Sequence, residues 1–138
     1  TDWDFADNVL VGHSSGATSV LNLLSRPDFP RVKVAVLVGA FLNENLTKGS
    51  PDFIDKRQFT ELFPSHGFDW STIKTKAERF YFVHGDDDPY CAYGDAVTAC
   101  DALGGELLTI PKGGHLSTSS GSANLPALIE LLKKDGIV

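Results

Sequence analysis

Cysteine, positive charge and long apolar runs are all scarce in this chain, and each shortage removes a class of function. Only Cys91 and Cys100 occur among 138 residues. Neither stands in a C-x-x-C pair or in a zinc-ligand spacing. Nine residues apart around one predicted helix, they lie too far apart along its axis to form a disulfide. They read as two small buried hydrophobes in a reducing compartment, so a cytoplasmic location is expected and a cysteine nucleophile is not. Lys and Arg number 12 against 18 Asp and Glu, a net charge of −6. With no basic cluster to offset it, that balance disfavours nucleic acid and anionic membrane surfaces as partners. No apolar stretch approaches the roughly 20 residues that a membrane-spanning helix needs, and no signal peptide opens the chain. The first residue is Thr1, not Met, so an N-terminal address is expected to have been removed or never included.

What is present suits one soluble domain with a proper core: 42% of residues are hydrophobic and 22% charged, as in ordinary globular proteins. Four segments read as buried strands: Asn8–Gly12, Val32–Gly39, Arg79–His84 and Glu106–Ile110. The second is nearly continuous in β-forming apolar residues, the pattern of a strand covered on both faces. Helical spacing follows the first strand at Ala17, Val20, Leu21 and Leu24, with Arg26–Pro27 closing that helix. It recurs over Tyr93–Leu103, with Ala96, Val97, Cys100 and Leu103 inward. A last helix covers Leu125–Lys134, with Leu125, Leu128, Ile129 and Leu132 inward. Strand and helix alternate, which predicts an α/β fold with a mostly parallel sheet in a three-layer α/β/α sandwich. Residues 41–77 are too long for a simple connection and read as a cap or insert, with short helices at Pro51–Phe63 and Ser71–Ala77.

The most specific signal is Val9-Leu10-Val11-Gly12-His13-Ser14-Ser15-Gly16-Ala17. A strand runs into G-x-S-x-G and a helix follows at once, the context of a nucleophile elbow. Ser14 is the candidate nucleophile, and the N–H of Ser15, at the start of the helix, is a candidate oxyanion donor. Gly12 and Gly16 are expected to be needed because a Cβ at either position would collide in so tight a turn. His13 is expected to pack or hydrogen-bond behind the elbow.

A serine nucleophile needs a base, and the base an orienting acid. The third strand ends in His84-Gly85-Asp86-Asp87-Asp88-Pro89, at the strand end where catalytic groups of open parallel sheets gather. Asp88, immediately before Pro89, is the candidate acid and Asp87 the alternative; Asp86 reads as a turn or helix cap. A metal reading would need three adjacent carboxylates to converge on one ion, and their spacing speaks against it. After the last strand, Lys112-Gly113-Gly114-His115 puts a histidine on a glycine-rich loop, free to reach the elbow. No special role is expected for His66 or His84. The order Ser14, Asp88, His115 is that of an α/β-hydrolase triad.

Gly12-His13-Ser14-Ser15-Gly16-Ala17, Leu37-Val38-Gly39-Ala40-Phe41, Asp69-Trp70-Ser71-Thr72-Ile73-Lys74, Asp87-Asp88-Pro89-Tyr90 and Gly114-His115 follow one another in the chain. Together they resemble the family of small serine hydrolases of the retinoblastoma-binding protein 9 and YdeN type, from about Asn8 to Lys134. The resemblance implies an α/β-hydrolase fold and Ser14, Asp88 and His115 as the triad. No L-x-C-x-E motif accompanies it, so pocket-protein binding is not carried over.

An α/β-hydrolase places several strands before its elbow strand, whereas seven residues precede Asn8 here. The chain is therefore expected to be the C-terminal part of one α/β-hydrolase domain lacking the first strands. A missing N-terminal segment of about 60 residues, or a second chain, would complete the sheet and supply the second oxyanion N–H. The expected reaction is hydrolysis of a carboxylic ester or similar small acyl substrate through an acyl-enzyme, with no metal and no cofactor. Phe41, Phe59, Phe63, Phe68 and Trp70 either line an apolar acyl pocket or form the core of the cap. A silent binding protein on the same fold and an acyltransferase are the alternatives.

Overall fold

Four apolar stretches pair side by side into one parallel sheet, ordered β1 (Val9–His13), β2 (Val32–Val38), β3 (Ala77–Gly85) and β4 (Glu106–Ile110). The computed structural model describes residues 4–44, 46 and 61–138. Val11 lies opposite Val36, Val36 opposite Tyr81, and Val83 opposite Leu108. All strands run the same way, so their carboxyl ends share one rim, and the sequence spends its unusual residues there.

Alternation along the strands builds two separate apolar layers. Leu10, Ala35, Leu37, Phe80, Phe82 and Leu107 face one side. There they meet α1 (Ser15–Leu24) through Ala17, Leu21 and Leu24, α2 (Trp70–Lys74) through Ile73, and α3 (Tyr93–Leu103) through Ala99, Cys100 and Leu103. Val34, Val36, Val38, Tyr81, Val83 and Leu108 face the other side, against Leu116 and against Leu128 and Leu132 of α4 (Pro126–Lys134). The result is the expected α/β fold in three layers. Six of the seven residues of β2 are buried, as its unbroken apolar run implies.

Differences from the sequence reading fall mainly at element edges. β1 runs to His13, β2 stops at Val38, and β3 extends from Ala77 to Gly85. α1 ends at Leu24 with Ser25 as its C-cap. The helix expected over Ser71–Ala77 is Trp70–Lys74: the Asp69 carboxylate accepts the Thr72 N–H at 3.1 Å and fixes its start, and Ala77 already belongs to β3. The helix expected over Pro51–Phe63 lies mostly outside the described residues, and its last three residues form a turn and bend. Ile129, expected inward on α4, is 46% exposed, while Leu131 packs against the second layer. Val97 of α3 is only half-buried, and Ala99 takes the inward position instead. Among the described residues no helix is long and apolar enough to cross a membrane.

The two elbow glycines also differ. A Cβ on Gly12 would lie 2.4 Å from the Gly16 carbonyl oxygen and 2.7 Å from the Ala17 nitrogen, so β1 can meet α1 only through a glycine. A Cβ on Gly16 would meet nothing within 4 Å. The close approach is made by the backbone of Gly16 onto Gly12, not by its own missing side chain, which corrects the expectation for Gly16. Gly12→Ala should therefore cost about 2–3 kcal/mol, whereas Gly16→Ala should stay within about 1 kcal/mol of wild type, on the stabilising side. Denaturant unfolding of the two variants checks this; equal losses would contradict it.

Candidate active site

Ser14 sits between β1 and α1 with φ 56° and ψ −123°, a left-handed conformation that costs a non-glycine residue about 1–3 kcal/mol. Its neighbours hold it there. The Ser14 N–H donates to the Val38 carbonyl at 2.8 Å, extending the strand pairing to the serine itself. The Ser14 carbonyl accepts the N–H groups of Ala17 at 2.9 Å and Thr18 at 3.2 Å, which starts the helix. The backbone is thus fully used and the hydroxyl is left to project at the rim. Ser15 is the first residue of α1, so its N–H has no intrahelical acceptor.

The hydroxyl meets an imidazole. His115 Nε2 lies 2.9 Å from Ser14 Oγ, and His115 Nδ1 lies 2.9 Å from Asp88 Oδ2. The Asp88 side chain is fully buried and that of His115 is 16% exposed. Asp88 Oδ1 accepts the N–H groups of Tyr90 at 2.9 Å and Cys91 at 3.0 Å. Burial alone would raise the Asp88 pKa, but the His115 hydrogen bond and these two N–H donors outweigh it and leave the carboxyl below its ordinary value. An ionised Asp88 accepts a proton-bearing Nδ1. The Nε2 lone pair is then free to accept the Ser14 O–H, and this arrangement can draw a proton from the serine.

All three consecutive aspartates serve the loop that carries His115. Asp86 Oδ1 accepts the Lys112 N–H and Asp87 Oδ1 the Gly114 N–H, each at 2.7 Å. The structure thus gives the imidazole contact to Asp88, and gives Asp87 to the loop backbone. One glycine clears the way. A Cβ on Gly85 would lie 2.2 Å from the Gly114 carbonyl oxygen. Gly39 lies beneath the Asp88–His115 pair, where an added Cβ would be in ordinary contact 3.7–3.8 Å from both side chains, so it is the φ of 60° that favours glycine there.

Residues 4–134 match the model of the family described as Serine hydrolase. The chain belongs to this family. Among solved structures it is similar to the ydeN gene product of B. subtilis, 21% identical with a TM-score of 0.75, covering 94% of this chain and 66% of that one. It is also similar to the meta-cleavage product hydrolase CumD of Pseudomonas fluorescens (15% identity, TM-score 0.60, 91% and 64% covered). A third match is the esterase domain of a Rhodothermus marinus protein (17% identity, TM-score 0.59, 83% and 55% covered). At these identities the likeness establishes the α/β-hydrolase fold. The chain spans about two thirds or less of the length of each. No curated protein sequence matches it.

Other residues of this family member lie around the three. The expected pocket aromatics separate into two groups. Phe41 and Phe63, with ring centroids 5.8 Å apart, cluster with Cys91, Leu46 and Leu62. Phe68 and Trp70, 5.4 Å apart, pack instead against the first core layer. Phe59 lies outside the described residues. α1 supports the Phe41 side: Thr18 Oγ1 donates to the Phe41 carbonyl at 2.8 Å, and Asn22 Nδ2 to the Leu62 carbonyl at 2.8 Å.

Cys91 is more than a filler of the core. Its thiol is buried, and burial with the nearby Asp88 and Asp95 pushes its pKa far up, while contact with the Ser14 hydroxyl works the other way. Asp88, Cys91 and His115 each offer a donor atom within 4.8 Å of the others. A cation there would have to displace the thiol proton and the Nδ1 proton and break the Asp88–His115 bond. His84, given no role by its sequence position, is fully buried beside Asp88. Its Nε2–H donates to the Cys91 carbonyl at 3.0 Å and lies 3.6 Å from Asp88 Oδ2, while its buried Nδ1 has no partner among the described residues. His66 is exposed. His13 Nε2–H donates to the His115 carbonyl at 2.8 Å.

Because the Asp88 pKa is lowered in the folded protein, the stability it contributes is fully present above the unfolded value of about 3.9. That contribution is lost as pH falls through the lower folded value. Asp88→Asn removes this titration. Urea midpoints of wild type and variant should therefore converge as pH falls below about 4. A gap that widens with acid would contradict the direction.

Proposed function

We propose that this serine hydrolase cleaves a carboxylic ester, or a similarly activated acyl compound, with Ser14 as nucleophile, His115 as general base and Asp88 as orienting acid. The observation that carries the reading is the unbroken hydrogen-bonded line from buried Asp88 through His115 to Ser14. His115 Nε2 takes the hydroxyl proton as Ser14 Oγ bonds to the carbonyl carbon, and ionised Asp88 stabilises the imidazolium. His115 then gives that proton to the leaving oxygen as the ester bond breaks. Water attacks the acyl-Ser14 with His115 again as base, releasing the acid and restoring the serine.

The Ser15 N–H would bind the developing oxyanion, a contribution of about 3–4 kcal/mol per donor. Partly buried Phe63, packed on the buried Phe41 and Cys91, would offer the apolar side of Ser14 to the acyl group. Phe68 and Trp70 pack against the first core layer instead. The chain would act as the C-terminal part of a hydrolase domain whose further strands add along the outer edge of β1. On that strand Val11 is 62% exposed, an apolar position that a neighbouring strand would cover.

The test is covalent labelling of the full-length protein by a fluorophosphonate probe. Ser14→Ala should abolish labelling, and Ser15→Ala, which keeps its N–H, should retain most of it. Asp88→Asn should slow labelling by about 10³–10⁴-fold, against a few-fold at most for Asp87→Asn. Labelling that survives in Ser14→Ala would overturn the assignment.

A further inference from the structure

We infer that His13 is a positioning residue for His115, through a side-chain hydrogen bond to the backbone of that histidine. The inference rests on the reading of His115 as the base. The sheet order puts β1 and β4 at opposite edges among the described strands, about 14 Å apart at the spacing of neighbouring strands. The loop after β4 must therefore arch over β3 and β2 to reach the serine. At its near side the arch is held by Asp86 and Asp87 from the end of β3. At its far side His13, the last residue of β1, reaches up to the His115 carbonyl at 2.8 Å.

A carbonyl oxygen can only accept, so His13 must carry its proton on Nε2. The contact fixes the backbone of the base from the strand that leads directly into the nucleophile. It sets the separation of residues 14 and 115 at the level of the main chain, which the 2.9 Å contact between their side chains requires. His115 also has two aromatic neighbours: the His13 ring, with centroids 5.0 Å apart, and the Tyr90 ring, at 5.3 Å and nearly perpendicular. Together they narrow the space in which its imidazole can swing. Misplacement of a catalytic group by a fraction of an ångström costs rate without changing its chemistry.

His13 is exposed, so it can be replaced without opening a cavity. His13→Phe keeps a ring and removes the donor; His13→Gln keeps an N–H donor at similar reach. In the full-length protein the fluorophosphonate inactivation step should slow about tenfold in His13→Phe, with probe affinity unchanged, and recover to within about threefold in His13→Gln. An inactivation step in His13→Phe as fast as in wild type would overturn the inference, and so would a His13→Gln as slow as His13→Phe. A second measurement does not need turnover: the low-field proton resonance of His115 Nδ1–H, assigned by its absence in His115→Gln. It should broaden or vanish in His13→Phe and persist in His13→Gln; a sharp, unshifted signal in His13→Phe would overturn the positioning role. If wild type takes no label, the hydrolytic reading fails while this resonance still decides whether His13 holds His115.

Discussion

The geometry of the rim depends on carrying one imidazole from the last strand of the sheet to the first. Parallel pairing aligns the strand ends but leaves β1 and β4 separated by β2 and β3, so strand pairing cannot bring Ser14 and His115 together. The connection is made by hydrogen bonds that the loop cannot form with itself. Three successive aspartates at the end of β3 take the Lys112 N–H, the Gly114 N–H and the His115 ring in turn. Gly85 lets the loop lie against that turn, and Gly39 takes the positive φ that the chain adopts below the imidazole. Each of these groups has a local explanation in sequence, and their common purpose is visible only in three dimensions.

Backbone strain and apolar burial meet in the same loop. Lys112, Gly114 and Leu116 have φ values of 53°, 56° and 50°, so the chain turns left-handed at every second residue around His115. For Leu116 this conformation costs about 1–3 kcal/mol. Leu116 is also nearly fully buried, in the core layer beneath α4, and burying a leucine side chain contributes about 1.5–3 kcal/mol. The two terms are of similar size. The residue after the histidine is thus an apolar anchor that offsets its own strain and pulls the loop down onto the sheet.

The layers and the strand-to-helix turn at Ser14 were legible in sequence because their signals are local: period-two and period-3.6 apolar spacing, and a serine between glycines at a strand end. The order of Ser14, Asp88 and His115 could be read because each follows a strand in a parallel sheet. The loop functions of Asp86 and Asp87 could not be read, since their partners are backbone groups 26 and 27 residues away, and a run of aspartates alone looks like a solvated turn. Gly16 was misread for a related reason. Sequence spacing marks both elbow glycines alike, and only the packing tells which of them receives a neighbour's backbone. The aromatics of residues 41–77 could be grouped by composition but not divided between the Cys91 cluster and the first core layer, because nothing in their spacing records which core each one joins.

Cys91 shows how a residue with a bland sequence reading ties these parts together. Its N–H donates to Asp88 Oδ1, its carbonyl accepts from His84, and its side chain joins Phe41 in an apolar cluster beside Ser14. A thiol so close to His115 would be a rival nucleophile if it ionised readily, because the thiolate is the reactive form. Burial and the neighbouring carboxylates hold it protonated instead. The same burial therefore silences the sulfur and leaves the Ser14 hydroxyl as the group in hydrogen-bond contact with His115.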